Sequence, residues 1–206
     1  MRFVLPVLLA FTLSGTAAFA ASEEPTVAAE PDGNGEAAKK MMGNIRAEAE
    51  AMHTLAGAIK ADVAKGKVKL GAGAEGKWDA GSAMWAEIKT LADAGDKEAT
   101  YSKIRDLRKL FGETMMTGFT GKAGKDTKAA AEAWWKICAE RAEHIVAWGK
   151  KAELTPANKA SFEAATTKWT EAKAKKDAKD FRGAFTTMLQ AVDDLDHVMW
   201  DVWNGK

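Results

Sequence analysis

Apolar residues recur along this chain at alternating spacings of three and four, the period of a helix that buries one face. Met41, Ile45, Ala49, Met52, Ala56, Ile59 and Val63 make the clearest stripe of the first half, and helix signals begin at Glu36. The stretch "KGKVKLGAGAEGKWDAG" breaks the pattern with five glycines. A second helix is then expected from about Ser82 to Ala94, closed by the Gly95-Asp96 turn. Tyr101, Ile104, Leu107, Leu110, Phe111 and Met115 predict a third, which stops at Gly118 and the "TGKAGKD" loop.

The second half is more regular. Asp126 is placed to cap a fourth helix that carries Trp134, Ile137, Cys138, Ile145 and Trp148 and ends near Gly149. Thr155 followed by Pro156 reads as the cap and first position of a fifth. That helix passes Phe162, Ala165 and Trp169 to a Lys-rich end, "KAKK", suited to the negative end of its dipole. The sixth starts near Asp177 and carries Phe181, Phe185, Met188, Val192, Leu195, Met199 and Val202. No stretch alternates as a strand does. The expected fold is all-α, an antiparallel up-down bundle of five to six helices.

A duplicated three-helix unit is one arrangement open to such a chain, with halves at 36–121 and 126–206. "AEAEAMHTLAGAIKA" (47–61) and "CAERAEHIVAWGKKA" (138–152) align without gaps, match at five of fifteen positions and superpose His53 on His144. Four of the five matches are Ala or Lys, residues common to any Ala-rich helix.

The ends decide the compartment. "MRFVLPVLLAFTLSGTAAFAASEEP" has one Arg, an apolar run from Phe3 to Leu13 and small residues ending in Ala18-Phe19-Ala20, as a secretory signal peptide over 1–20 would. The apolar run is too short to span a bilayer, and no Cys follows to take a lipid, so a periplasmic or secreted protein without a membrane span is expected. Residues 21–35, "ASEEPTVAAEPDGNG", read as a disordered leader before one helical domain at 36–206. Without Arg2 the 30 basic residues become 29, equal to the 29 acidic ones, which argues against a nucleic-acid partner.

Little in the chain resembles catalytic chemistry, and the expectation is a protein that is not an enzyme. The single Cys138 cannot form an internal disulfide and lacks an activating base nearer than His144, so it reads as a small buried apolar residue. His53 and His144 each lie beside an apolar stripe, with Glu50 and Glu140 at helical spacing. The methionines offer thioethers suited to cuprous copper, although most fall on core stripes. The tryptophans could line a flat cofactor or a sugar, or fill the bundle and its ends.

The strongest candidate lies in "AVDDLDHVMWDVWNGK". On a helix, Asp193 and Asp201 sit four residues either side of His197 and Asp194 three before it. A carboxylate can orient one imidazole nitrogen while the other binds a metal, and Asp is itself a hard oxygen ligand, so His197, Asp193 and Asp201 form a candidate metal set. The competing reading is a solvated face with an Asp and His ion pair, since Leu195 and Met199 hold the core stripe.

"KASFEAATTKWTEAKAKKDAKDFRGAFTTMLQAVDDLDHVMW" resembles the last two helices of cytochrome c-prime-like proteins, where an Ala-rich last helix leads into the haem attachment motif Cys-x-x-Cys-His. Here the matching place reads Asp193-Asp194-Leu195-Asp196-His197, with the His kept and both Cys positions Asp. "MMGNIRAEAEAMHTLAGAIKA" is similar to the Met-bearing first helix of that family and of the four-helix b-type cytochromes, where a Met near the helix start and a His in the last helix ligate iron. The resemblance implies Met41 or Met42 with His197 as the carried-over pair. Covalent haem is not expected without the Cys residues; non-covalent haem or a transition metal, serving electron transfer with a redox partner, is one expectation. The alternative is a cofactor-free structural or partner-binding bundle, with an unidentified protein or a second copy in a homodimer as the partner.

Overall fold

A computed structural model describes residues 36–71, 74–115 and 119–204. Six helices are present among them: α1 (Glu36–Ala64), α2 (Ala74–Asp93), α3 (Lys97–Met115), α4 (Lys125–Gly149), α5 (Pro156–Asp177) and α6 (Phe181–Trp203). The expected all-α bundle is what the chain forms. The expected signal peptide over 1–20 and the expected leader over 21–35 lie outside the described residues, as do the side chains of Met41 and Met42.

The stripes predict the packing. Ile45, Ala49, Met52, Ala56 and Ile59 of α1 are buried, against α2 on one side and α4 on the other. α2 and α3 form a hairpin across Ala94, Gly95 and Asp96, with Gly95 at φ 74°, a left-handed conformation that glycine adopts without a Cβ penalty. α5 packs along α6, and α6 in turn lies on α3 and α4. Trp134, Trp169, Met188 and Leu195 are enclosed at the centre, and Met52, Met188 and Met199 serve as core filler. Where α4 ends, Gly149 lies under the Phe162 ring, which would overlap any Cβ placed there.

Three details differ from the sequence expectation. α2 begins at Ala74, eight residues early, because Gly76 and Gly81 are accommodated inside it; Gly81 faces the Leu107 and Phe111 side chains of α3 at ordinary contact distance. Second, the glycine-rich stretch is not only a loop. Val68–Leu70 (β1) pairs antiparallel with Phe119–Gly121 (β2), Val68 opposite Gly121, so the α1–α2 and α3–α4 connections are tied together. Three-residue strands are too short for alternation to show. Third, α6 starts at Phe181 with Asp180 as its cap, its carboxylate accepting from the Gly183 amide at 3.0 Å.

The start of α4 is held from a distance. Its N-cap is Gly124, which has no side chain to offer, and Asp126 sits in the first turn without capping. Asp62, near the end of α1, supplies the acceptor instead: its Oδ2 takes the Gly124 amide and the Thr127 hydroxyl, both at 2.6 Å. The Thr127 hydrogen bond, with that of Gly124, holds the Asp62 carboxyl below the usual carboxylate range. Asp62→Ala is expected to lower Tm by roughly 2–4 °C, the effect of losing one helix cap in a domain of this size, measured by circular dichroism at neutral pH. An unchanged Tm would show the clip to be dispensable.

Candidate functional site

Four charged residues occupy positions that helical spacing assigns to the core. Glu48 lies three after Ile45 and four before Met52; Arg108 lies four after Ile104 and three before Phe111. Arg141 lies three after Cys138 and four before Ile145, and Asp196 four after Val192 and three before Met199. α1, α3, α4 and α6 thereby turn one charge each toward a common centre, where all four are at least 97% buried. Two are acidic and two basic.

Arg108 is the hub. Its Nε donates to Glu48 Oε1 at 2.9 Å and its Nη2 to Glu48 Oε2 at 2.8 Å, a two-pronged pair matched to the planar guanidinium. The same Nη2 reaches Asp196 Oδ2 at 2.6 Å. Arg141 Nη2 also donates to Glu48, and its Nε lies 3.4 Å from Asp196 Oδ1. Each acid therefore meets both arginines. Arg141 Nη1 has no hydrogen-bond partner among the described residues, so Arg141 is held less fully than Arg108.

Burial alone would raise the Glu48 carboxyl, but the charges of Arg108 and then Arg141 outweigh it and hold the group at about 2. Burial acts to lower Arg108, yet Glu48 and Asp196 keep it fully charged. Cys138 lies beside this network, its sulfur 3.6 Å from Glu48 Oε1; burial, then the Glu48 charge, pushes the thiol well up, so it stays protonated. The expected inert, buried cysteine is found, with a polar neighbour that spacing did not suggest.

Outside this centre, residues of α3 and α6 line a cleft of about 820 Å³. Asp193 bridges its floor, accepting from Arg105 Nε and Nη2 at 3.0 Å each and lying 3.4 Å from Arg108 Nη1. At one end Trp200 stacks on Tyr101, with ring centroids 4.8 Å apart and planes 15° from parallel, and Arg105 lies over the Tyr101 ring. Tyr101 is 95% buried, and its hydroxyl has no partner among the described residues; burial, then the Asp196 charge, raises its pKa.

His197 projects into this cleft from α6 with half of its side chain exposed, and its Nε2 is 3.5 Å from Asp201 Oδ2. The acids around it are divided among other partners: Asp193 goes to Arg105 and Arg108, Asp194 to Lys168 at 2.6 Å, and Asp196 to the core. Among the described residues only Asp201 pairs with the imidazole, and no group of three or more His, Cys, Asp or Glu is placed to hold a metal. His53 stacks on Trp85 at 4.3 Å between α1 and α2, whereas His144 is half-buried on α4. α1 and α4, the two helices that carry them, pack against each other. No family model, curated protein or solved structure matches the chain, so the roles of these residues rest on their geometry within an all-α bundle.

Two outcomes are expected. Arg108→Met leaves two buried carboxylates with one cation and should cost about 3–5 kcal/mol in urea unfolding, the range for breaking a buried pair from one side; a loss under about 0.5 kcal/mol, as for a surface site, would remove its hub role. Second, the pKa of Glu48 is depressed on folding, so its stabilisation is complete above pH 4.5 and is lost as pH falls toward about 2. Between those values the wild type should lose more stability than Glu48→Gln, followed by urea midpoints against pH.

Proposed function

We propose that this chain is an exported, cofactor-free helical bundle that acts by binding a partner through its surface. The observation that carries the reading is the fate of the two positions where the cytochrome c-prime-like resemblance would place haem-attaching cysteines. Asp193 and Asp196 both hold arginines there, Asp196 within the core and Asp193 at its edge. A porphyrin between the helices needs a flat apolar slot and an imidazole turned inward. The described residues do not fit it: four buried ions fill the centre, and His197 faces outward onto Asp201. Displacing the arginines would strand buried carboxylates, at a cost that ligation by one imidazole would have to exceed.

The signal-peptide pattern over 1–20 supports export, and the protonated, enclosed Cys138 supports binding over catalysis. Metal binding at His197, Asp193 and Asp201 is disfavoured on the same grounds, since Asp193 already accepts from two arginines. Titrating the purified mature protein with hemin should produce no saturable one-to-one Soret band, and His197→Ala should titrate as the wild type does. A tight stoichiometric band that His197→Ala abolishes would overturn the proposal and restore haem ligation, with Met41 or Met42 as the second ligand to examine.

A further inference from the structure

The charges of the chain balance overall but not locally. Residues 62–71 and 119–128, which run from the end of α1 through β1 and from β2 into α4, hold six lysines against two acids, Asp62 and Asp126. Val68 is buried, so Lys67 and Lys69 on either side of it point away from the core. The β1/β2 register continues one step further, the Lys122 amide donating to the Lys67 carbonyl at 3.1 Å, which sets Lys122 directly across from Lys67 on that outer face. Lys125 and Lys128 follow in the first turn of α4, three residues apart and both exposed.

Two of these placements work against the fold. Like charges directly opposite each other on a ladder repel, as Lys67 and Lys122 do. A helix N-terminus is the positive end of its dipole, and Lys125 and Lys128 add cations to it. Lys122, Lys125 and Lys128 form no ion pair among the described residues, and the acid beside Lys67, Asp62, is buried and committed to Gly124 and Thr127. Asp126 is the single exposed acid of the two segments. Positive charge gathered against local stability is relieved by an anionic partner.

The residue types narrow that partner. Lysine is a compact, mobile charge without the planar fork that grips one shaped anion, so a row of lysines suits a diffuse field of headgroups. Clusters of about four to eight basic residues bind anionic lipid surfaces in this way. An apolar anchor stands at the same end of the bundle. Lys176, at the end of α5, pairs with Glu132 in the second turn of α4, and the α5–α6 turn just beyond it presents Phe181, a large hydrophobic residue that is 55% exposed. The charges of that turn, Lys179 and Arg182 against Asp177 and Asp180, balance, so its contribution is the ring.

We infer that the outer face of the β1/β2 ribbon and the first turn of α4 dock on the headgroups of an anionic lipid bilayer, with Phe181 entering the interface. The inference rests on the surface-binding reading and names its partner; failure of vesicle binding would remove the partner alone, whereas hemin titration tests the reading itself.

The mature chain, residues 21–206, is co-sedimented with vesicles of phosphatidylglycerol and phosphatidylcholine in equal parts, with pure phosphatidylcholine vesicles and soluble polyphosphate as comparators. It should bind the anionic vesicles and not the neutral ones, and release them as salt rises from about 50 to about 500 mM. Lys67→Gln/Lys122→Gln should weaken binding by about 25-fold, about fivefold for each lysine, without lowering Tm, since a repulsion is removed. Phe181→Ser should weaken it by about fivefold. Lys150→Gln/Lys151→Gln, the same change of net charge at the other end of α4, should leave binding unaltered. Three outcomes would each overturn the inference: no binding of anionic vesicles up to about 2 mM lipid, equal losses in the two double variants, or polyphosphate bound more tightly than vesicles with Phe181→Ser without effect.

Discussion

Everything in this bundle is arranged around the requirement that two buried carboxylates and two buried guanidinium groups neutralise one another. An ion taken from water into a protein interior loses several kcal/mol of solvation, which is recovered only when geometry brings counter-charges into direct contact. Four helices each supply one charge, so no helix can shift by a turn without stranding an ion. Apolar stripes by themselves tolerate sliding, because one methyl row packs much like the next. The Glu48, Arg108, Arg141 and Asp196 set removes that freedom, and in doing so fixes which faces of α1, α3, α4 and α6 meet.

That constraint reaches the surface through α6. Asp196 and His197 are adjacent, so turning the first inward toward Arg108 turns the second outward into the cleft. Asp193, one turn earlier, lies at the boundary and takes Arg108 from the core side and Arg105 from the solvent side. The cleft floor is thus an extension of the core network. Near the end of α1, Asp62 performs a related service: one carboxylate from α1 sets where α4 begins, and the β1/β2 pair ties the α1–α2 and α3–α4 connections together.

The helices were legible because seven-residue arithmetic is robust: the stripes through Met41 to Val63 and Phe181 to Val202 mark α1 and α6 almost to their ends. The caps were harder. Thr155 was readable since its acceptor is local, its hydroxyl taking the Asn158 amide at 3.2 Å, whereas Asp62 acts on residues 62 and 65 positions away. The charge network carried a signal that apolar counting passes over. Each of its members stands at a stripe position, three and four residues from buried neighbours, and the acids and bases balance. A charged residue in register with a core stripe is costly unless paired, so four such residues of balanced sign already imply a buried network.

The acidic run of α6 shows why spacing around a histidine is a weak guide to a site. Residues 193, 194, 196, 197 and 201 fall within two and a half turns, yet 100° per residue sends them to different neighbours: α3, α5, the core and the cleft. Helical proximity specifies which side chains can touch only when nothing else competes for them, and here Arg105, Arg108 and Lys168 compete with better geometry and a permanent charge. Imidazole, charged only when protonated, is left with Asp201.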